Sequence, residues 1–277
     1  MRWTPGGVSS DIEDRRGGGG GFGGFGFGRG PQVGCGGAVI LLVLSVLFGK
    51  NLFTLFDGSG GQQSAPVDST ASVQQTPEEA KEVQFVSFVL DDVQQTWAKI
   101  YQDSGQQYQR ARLVLYRDMT QTACGHGQAA SGPFYCPGDG KVYLDLAFFD
   151  ELDRRFAAPG DFAQAYVVAH ELGHHIQNLM GTTDRVRSNE DSVRVELQAD
   201  CYAGVWGHYA AQRNVLEPGD TEEGLAAASA VGDDRLQEMS GRAVNPDSFT
   251  HGSSQQRMEW FTRGFRSGNV SDCDTFR

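Results

Sequence analysis

Basic charge is scarce in this chain of 277 residues. Lysine and arginine total 23 against 35 aspartates and glutamates, giving a formal net charge of −12. Apart from the pairs Arg15-Arg16 and Arg154-Arg155, basic residues stand singly. No patch exists to offset phosphate charge, which argues against nucleic acid as a partner. The acidic balance bears on solubility and says little about a substrate. There is no internal repeat either, and no A-x-A-like cleavage site after the one long apolar run.

That run organises the chain. Residues 31–49 (PQVGCGGAVILLVLSVLFG) carry no charge, and Ala38–Phe48 is almost wholly aliphatic. With the following NLFTLF it reaches the ~20 apolar residues that a spanning helix needs. Thirty residues precede it, unlike the short basic start of a cleaved signal peptide. The expected organisation is therefore a Gly/Phe/Arg-rich head (1–30), a single-pass membrane anchor (31–56), a flexible tether (57–75) and a folded domain (76–277). Arg15, Arg16 and Arg29 lie upstream of the run and Lys50 alone just downstream. The basic-residue bias thus expects a cytoplasmic N-terminus, the lipid bilayer as partner through residues 31–56, and a domain outside the cytoplasm.

The domain should be an α+β fold, because two strand-like segments precede a block of helices. Thr76-Pro77-Glu78-Glu79 opens a helix with N-cap, N1 proline and capping-box glutamate in order. Arg112–Arg117 and Lys141–Phe149 read as strands. A helix capped by Asp161 carries Phe162, Tyr166, Ala169, Leu172 and Ile176 on one stripe and stops at Gly181. A second runs from about Ser192 to Gln212, and others start near Asp220 and Ser253 with capping-box pairs Asp220/Glu223 and Ser253/Gln256. Of five cysteines, Cys35 stands apart, and four lie in the domain. Three pairings are possible, or four free thiols in a reducing space; we expect Cys124–Cys136 and Cys201–Cys273, in an oxidising compartment.

His170-Glu171-Leu172-Gly173-His174 places two imidazoles one above the other on the first long helix. Both can reach one zinc ion, and Glu171 can take a proton from the water that the ion activates. The extended pattern HExxHxxGxxH is missing, since Gln177 and Met180 stand where glycine and histidine would be needed, and His175 points off the ligand face. On the second helix, Glu196 and Asp200 share a face with Ala203 and Gly207, small enough for close approach to the first. Glu196 completes a His₂Glu site with an open fourth position, and Asp200 is placed to fix a ligand histidine from behind. The bland readings are solvent-facing histidines and solvated acids on polar helix faces.

HELGHHIQNLMG followed by VELQADCYAGVW resembles the gluzincin-type zinc peptidases. More closely, with EDRRG, GPFYCPGDGKVYLDLAFFDEL, FTHGSSQQRMEWFTRGF and the CDTF ending, the chain resembles the bacterial neutral zinc metallopeptidase family. The resemblance implies a zincin-like fold with a membrane anchor, zinc ligands His170, His174 and Glu196, and Glu171 as base. In such a domain a peptide substrate would lie along an exposed sheet edge, expected here from Lys141–Phe149. His251, in FTHGSS before a helix start, can donate to the oxyanion, with Tyr202 and Tyr143 as weaker candidates. His126 and His208 read as structural or surface residues. The expected function is a membrane-anchored zinc metallopeptidase. Its alternatives are a non-catalytic zinc-binding interaction module and a zinc amidase acting on cell-wall peptides.

Overall fold

The computed structural model describes residues 1–17, 75–128, 132–154 and 156–277. Residues 1–15 and 75–277 form one compact unit. The expected anchor (31–56) and, apart from Gln75, the expected tether lie outside the described residues. No helix among the described residues is long and apolar enough to cross a membrane.

The architecture is α+β. Strand β1 (Ile12–Asp14) is followed by helix α1 (Pro77–Asp103). Then come β2 (Arg112–Tyr116), the hairpin β3 (Met119–Thr122) and β4 (Gly125–Gln128), β5 (Phe134–Cys136) and β6 (Lys141–Asp145). The helical block comprises α2 (Ala147–Arg154), α3 (Asp161–Leu179), α4 (Asn189–Gln212), α5 (Asp220–Ala230), α6 (Asp233–Met239) and α7 (Ser254–Ser267). The sheet order is β1-β2-β6-β5, parallel except for the antiparallel edge strand β5. Strand residues alternate between faces, as the pleat requires. Leu113, Leu115, Val142 and Leu144 enter the main core with the helices, while Val114, Tyr116 and Tyr143 cluster with Cys136 and Phe134. Helix α3 is central, packed against α1, α2, α4, α5 and strands β5 and β6.

The local signals at the ends of α1 and α7 hold: Thr76/Glu79 and Ser253/Gln256 both form capping boxes, and Ser188 caps α4. Four expectations need correction. Strand β6 stops at Asp145, whose carboxylate accepts the N–H groups of Ala147 and Asp118 and so turns the chain into α2. The strand is also internal, and the free antiparallel edge is β5 rather than Lys141–Phe149. Asp161 is the first residue of α3, not its cap. The cap is Gly160, at φ +119°, where a Cβ would collide with the Glu223 carboxylate. Glu223 forms no box with Asp220; it accepts the Phe162 N–H and so caps α3 from α5.

Both expected disulfides are present, Cys124–Cys136 and Cys201–Cys273. The first ties the hairpin to the edge strand and the second ties the C-terminal segment to α4. In the chain-entropy picture the longer loop contributes about 4 kcal/mol and the shorter about 3 kcal/mol.

The largest departure is at the start of the chain. Residues 1–15 are not a separate head: Ile12, Glu13 and Asp14 pair in parallel with Leu113, Val114 and Leu115. Met1 is buried, Trp3 packs on Phe85 and Phe88, and the Met1 α-amino group sits between Asp161 and Asp220. Strands in one ladder share one side of any bilayer. A cytoplasmic residue 12 with an extracytoplasmic residue 113 is incompatible with this pairing. In a Cys35→Ser background, single cysteines at the exposed positions Val8 and Met119 should react with a membrane-impermeant maleimide from the same side of sealed vesicles. Reaction from opposite sides would contradict the strand pairing.

Candidate metal centre

The centre is built where α3 and α4 touch. A Cβ on Gly173 would lie 3.0 Å from the Ala199 carbonyl oxygen, so glycine lets the helices meet between His170 and His174 on one side and between Glu196 and Asp200 on the other. Gly207, expected to serve this contact, packs chiefly on Phe265 of α7 instead. His170 and His174 project from successive turns of α3, with ring centroids 4.8 Å apart. Glu196 comes from α4, its carboxylate oxygens 3.2 Å from His170 Nε2 and 3.5 Å from His174 Nε2.

Both histidines are held from behind. Asp200 Oδ1 lies 2.9 Å from His170 Nδ1. A carboxylate only accepts, so this nitrogen carries the proton and Nε2 is left for a metal. For His174, Gln177 Oε1 lies 2.8 Å from Nδ1. The Gln177 amide nitrogen donates to the Val195 carbonyl and to Gln198, which fixes its oxygen toward the ring. Asp200 is fully buried and also accepts from the Tyr166 hydroxyl and from Arg257 Nε and a terminal guanidinium nitrogen.

The donor set fits zinc. The ligand atoms of His170, His174 and Glu196 lie within 4.8 Å of one another. Tetrahedral bonds of about 2.1 Å imply ligand separations of about 3.4 Å, close to the two His–Glu distances. Burial disfavours charge on His170, but the Asp200 charge and hydrogen bond outweigh it and raise its pKa to about 9. Burial likewise opposes ionisation of Glu196, yet the neighbouring His174 charge and the two histidine hydrogen bonds hold its carboxyl well below the usual range. A second acidic cluster, Asp161, Asp220 and Glu223, lies around the Met1 ammonium rather than near this site.

Glu171 is buried and its carboxylate makes no hydrogen bond among the described residues; desolvation raises its pKa. His251 lies in the turn before α7. Its Nδ1 is 3.1 Å from Asp233, which also accepts the N–H groups of Thr250, His251 and Gly252 on one oxygen. Gly252 approaches Val193 and Leu197, which flank Glu196 on α4, and the charges of His251 and Glu196 lower and raise each other's pKa accordingly. The two tyrosines named as oxyanion donors are engaged elsewhere: Tyr143 donates to Asp139 and Tyr202 to Met180 sulphur. His175 lies off the ligand face as expected, bonded to Tyr135 and to the Gln109 carbonyl beside a cavity of about 250 Å³. His126 is exposed on β4, and His208 contacts the Phe265 carbonyl.

Four contributing residues were missed from the sequence: Tyr166, Gln177, Asp233 and Arg257. Arg257 had a readable signal, since it shares the buried face of α7 with Phe261 and Gly264. A charge on an apolar stripe asks for a buried partner.

The family model described as "Putative neutral zinc metallopeptidase" matches residues 1–276. A protein of Escherichia coli (strain K12) described as "Uncharacterized protein YpfJ" is 49% identical over 290 residues, covering 100% of this chain and 99% of its own. "Uncharacterized protein Mb2605" of Mycobacterium bovis is 45% identical over 185 residues, 61% of this chain and 63% of its own. No solved structure matches.

Zinc must displace the proton from His170, so affinity should rise as pH increases from 7 toward the pKa of about 9 and then level off. Isothermal titration across that interval checks it; a flat profile would contradict the charge balance described.

Proposed function

The chain belongs to the neutral zinc metallopeptidase family, and from that premise we propose that it hydrolyses peptide bonds with Glu171 as general base. One observation carries the reading. Three ligand atoms converge beside a buried carboxylate that feels the charges of His174 and His170 but makes no side-chain hydrogen bond among the described residues. A structural zinc site normally closes with four protein ligands, whereas three with an adjacent free acid leave room for a reacting molecule.

A zinc ion held by His170, His174 and Glu196 would supply Lewis acidity toward the substrate carbonyl and toward water. Glu171 accepts the proton of the attacking water and passes it to the leaving amine. His251 donates to the oxygen that becomes negative on attack, and Asp233 holds the ring in place for it. Asp200 and Gln177 keep both ligand histidines in one tautomer and orientation.

The substrate is a peptide or protein strand laid along β5, the free edge beside α3. Tyr135 on that strand bonds to His175 and Asn178 of α3, so the edge is fixed relative to the metal helix. Two disulfides support an oxidising compartment. The apolar run at residues 31–56 attaches the protein to a bilayer.

Glu171→Gln in the full chain should bind zinc stoichiometrically while peptide cleavage falls by about 10²–10⁴-fold. Zinc in both proteins with undiminished cleavage by the variant would remove Glu171 from the mechanism. Zinc in both with no cleavage of a broad peptide library by either would move the reading to a binding module or to a non-protein amide.

A further inference from the structure

Arg257 is 3% exposed, yet it carries a full positive charge into the wall of the metal centre. Its position is set by the backbone. Gly204 of α4 and Gly264 of α7 let the two helices touch, and a Cβ at either glycine would collide with the other helix. From there four of the five guanidinium N–H groups find acceptors. Nε donates to Asp200 Oδ2 at 2.8 Å and one terminal nitrogen to Oδ1 at 2.9 Å. The same terminal nitrogen donates to the Tyr166 hydroxyl at 3.2 Å, and the other reaches the Val231 carbonyl at 3.2 Å. The guanidinium also lies 3.3 Å from His170 Nδ1.

We propose that Arg257 is a positioning residue of the metal centre, locking Asp200 so that His170 is presented to zinc in one orientation. This rests on the metallopeptidase reading. The two-point fork fixes the plane of the carboxylate, since both oxygens are engaged by one rigid planar group. With its plane fixed, Oδ1 stays in line with the His170 Nδ1–H, and Nε2 stays directed at the ion. The same fork compensates a carboxylate that has no access to water. Without it, Asp200 would lose two of its four donors together with its counter-charge, and would have to turn or admit water. Arg257 cannot serve substrate in this arrangement, because every contact it makes is internal. It also joins α7 to the ligand helices, and the turn before α7 carries His251. One side chain therefore holds the ligand-orienting carboxylate and the arm that bears the oxyanion donor.

The test compares zinc dissociation constants, measured by chelator competition, and cobalt(II) absorption spectra of the full chain. Wild type, Arg257→Gln and the double variant Asp200→Asn/Arg257→Gln are used, each checked for fold by near-ultraviolet circular dichroism. Arg257→Gln should weaken zinc binding by about 10–100-fold and alter the cobalt bands. The double variant leaves an amide oxygen for His170 with no charge to compensate, and should bind several-fold tighter than Arg257→Gln. Wild-type affinity and spectrum in Arg257→Gln would overturn the proposal. So would a double variant no tighter than the single one, since a role confined to helix packing predicts no such recovery. Should Arg257→Gln not fold, an Asp200→Asn/Arg257→Gln protein with zinc affinity near wild type would support the proposal and one with none would overturn it. Failure of wild type itself to bind zinc would remove the metallopeptidase reading, which separates the two failures.

Discussion

One buried carboxylate organises the functional half of this protein. Asp200 is fully inaccessible and receives hydrogen bonds from His170 and Tyr166 on α3 and from Arg257 on α7, while itself belonging to α4. Burial alone would make its ionisation costly, but the charges of Arg257 and His170 and their hydrogen bonds hold its carboxyl below the usual range. Removing the Arg257 side chain from such a site takes away the only hydrogen bond to Oδ2 among the described residues, and a buried oxygen left unpaired costs more than the bond itself was worth. Three helices are thus locked in one relation, and the two histidines, Glu196 and the His251 turn inherit their geometry from it.

The sheet performs the complementary task of fixing where α3 lies and which strand is left open. Its start is unexpected, because the first strand comes from residues 12–14, more than 60 residues before the next described segment. Parallel pairing with β2 makes β1 one outer strand of the sheet among the described residues, with β5 the other. The β1–β2 pairing also carries a topological consequence. Residues 12–14 and 113–115, paired in one ladder, lie on the same side of any membrane. The cytoplasmic head and exterior domain expected from the basic-residue bias cannot both hold in this fold.

Much of the metal site was legible because helical spacing is a strong constraint. Residues four apart must face together, so His170/His174 and Glu196/Asp200 were each a pair before any fold was known. Capping residues were legible where they act within four residues of each other, as at Thr76 and Ser253. They misled where the partner comes from elsewhere, as when Glu223 caps α3 across a helix interface. Arg257, Tyr166 and Asp233 act on residues 17 or more positions away, and local pattern holds no information about such pairings. The overrun of the strand at Lys141–Phe149 has the same origin, since Asp145 turns the chain by accepting from Asp118 as well as from Ala147. Strand β1 was hidden because three residues carry too little alternation to stand out beside a glycine-rich run.

The central claim is that His170, His174 and Glu196 together hold one zinc ion and leave a position open. X-ray absorption at the zinc edge of the full chain, purified without added chelator and loaded with one equivalent, tests it most directly. The account predicts two imidazole nitrogens and carboxylate oxygen in the first coordination sphere, completed by a further light atom, with the imidazole signal reduced in His174→Ala. Sulphur in that sphere, or a spectrum unchanged by His174→Ala, would contradict it.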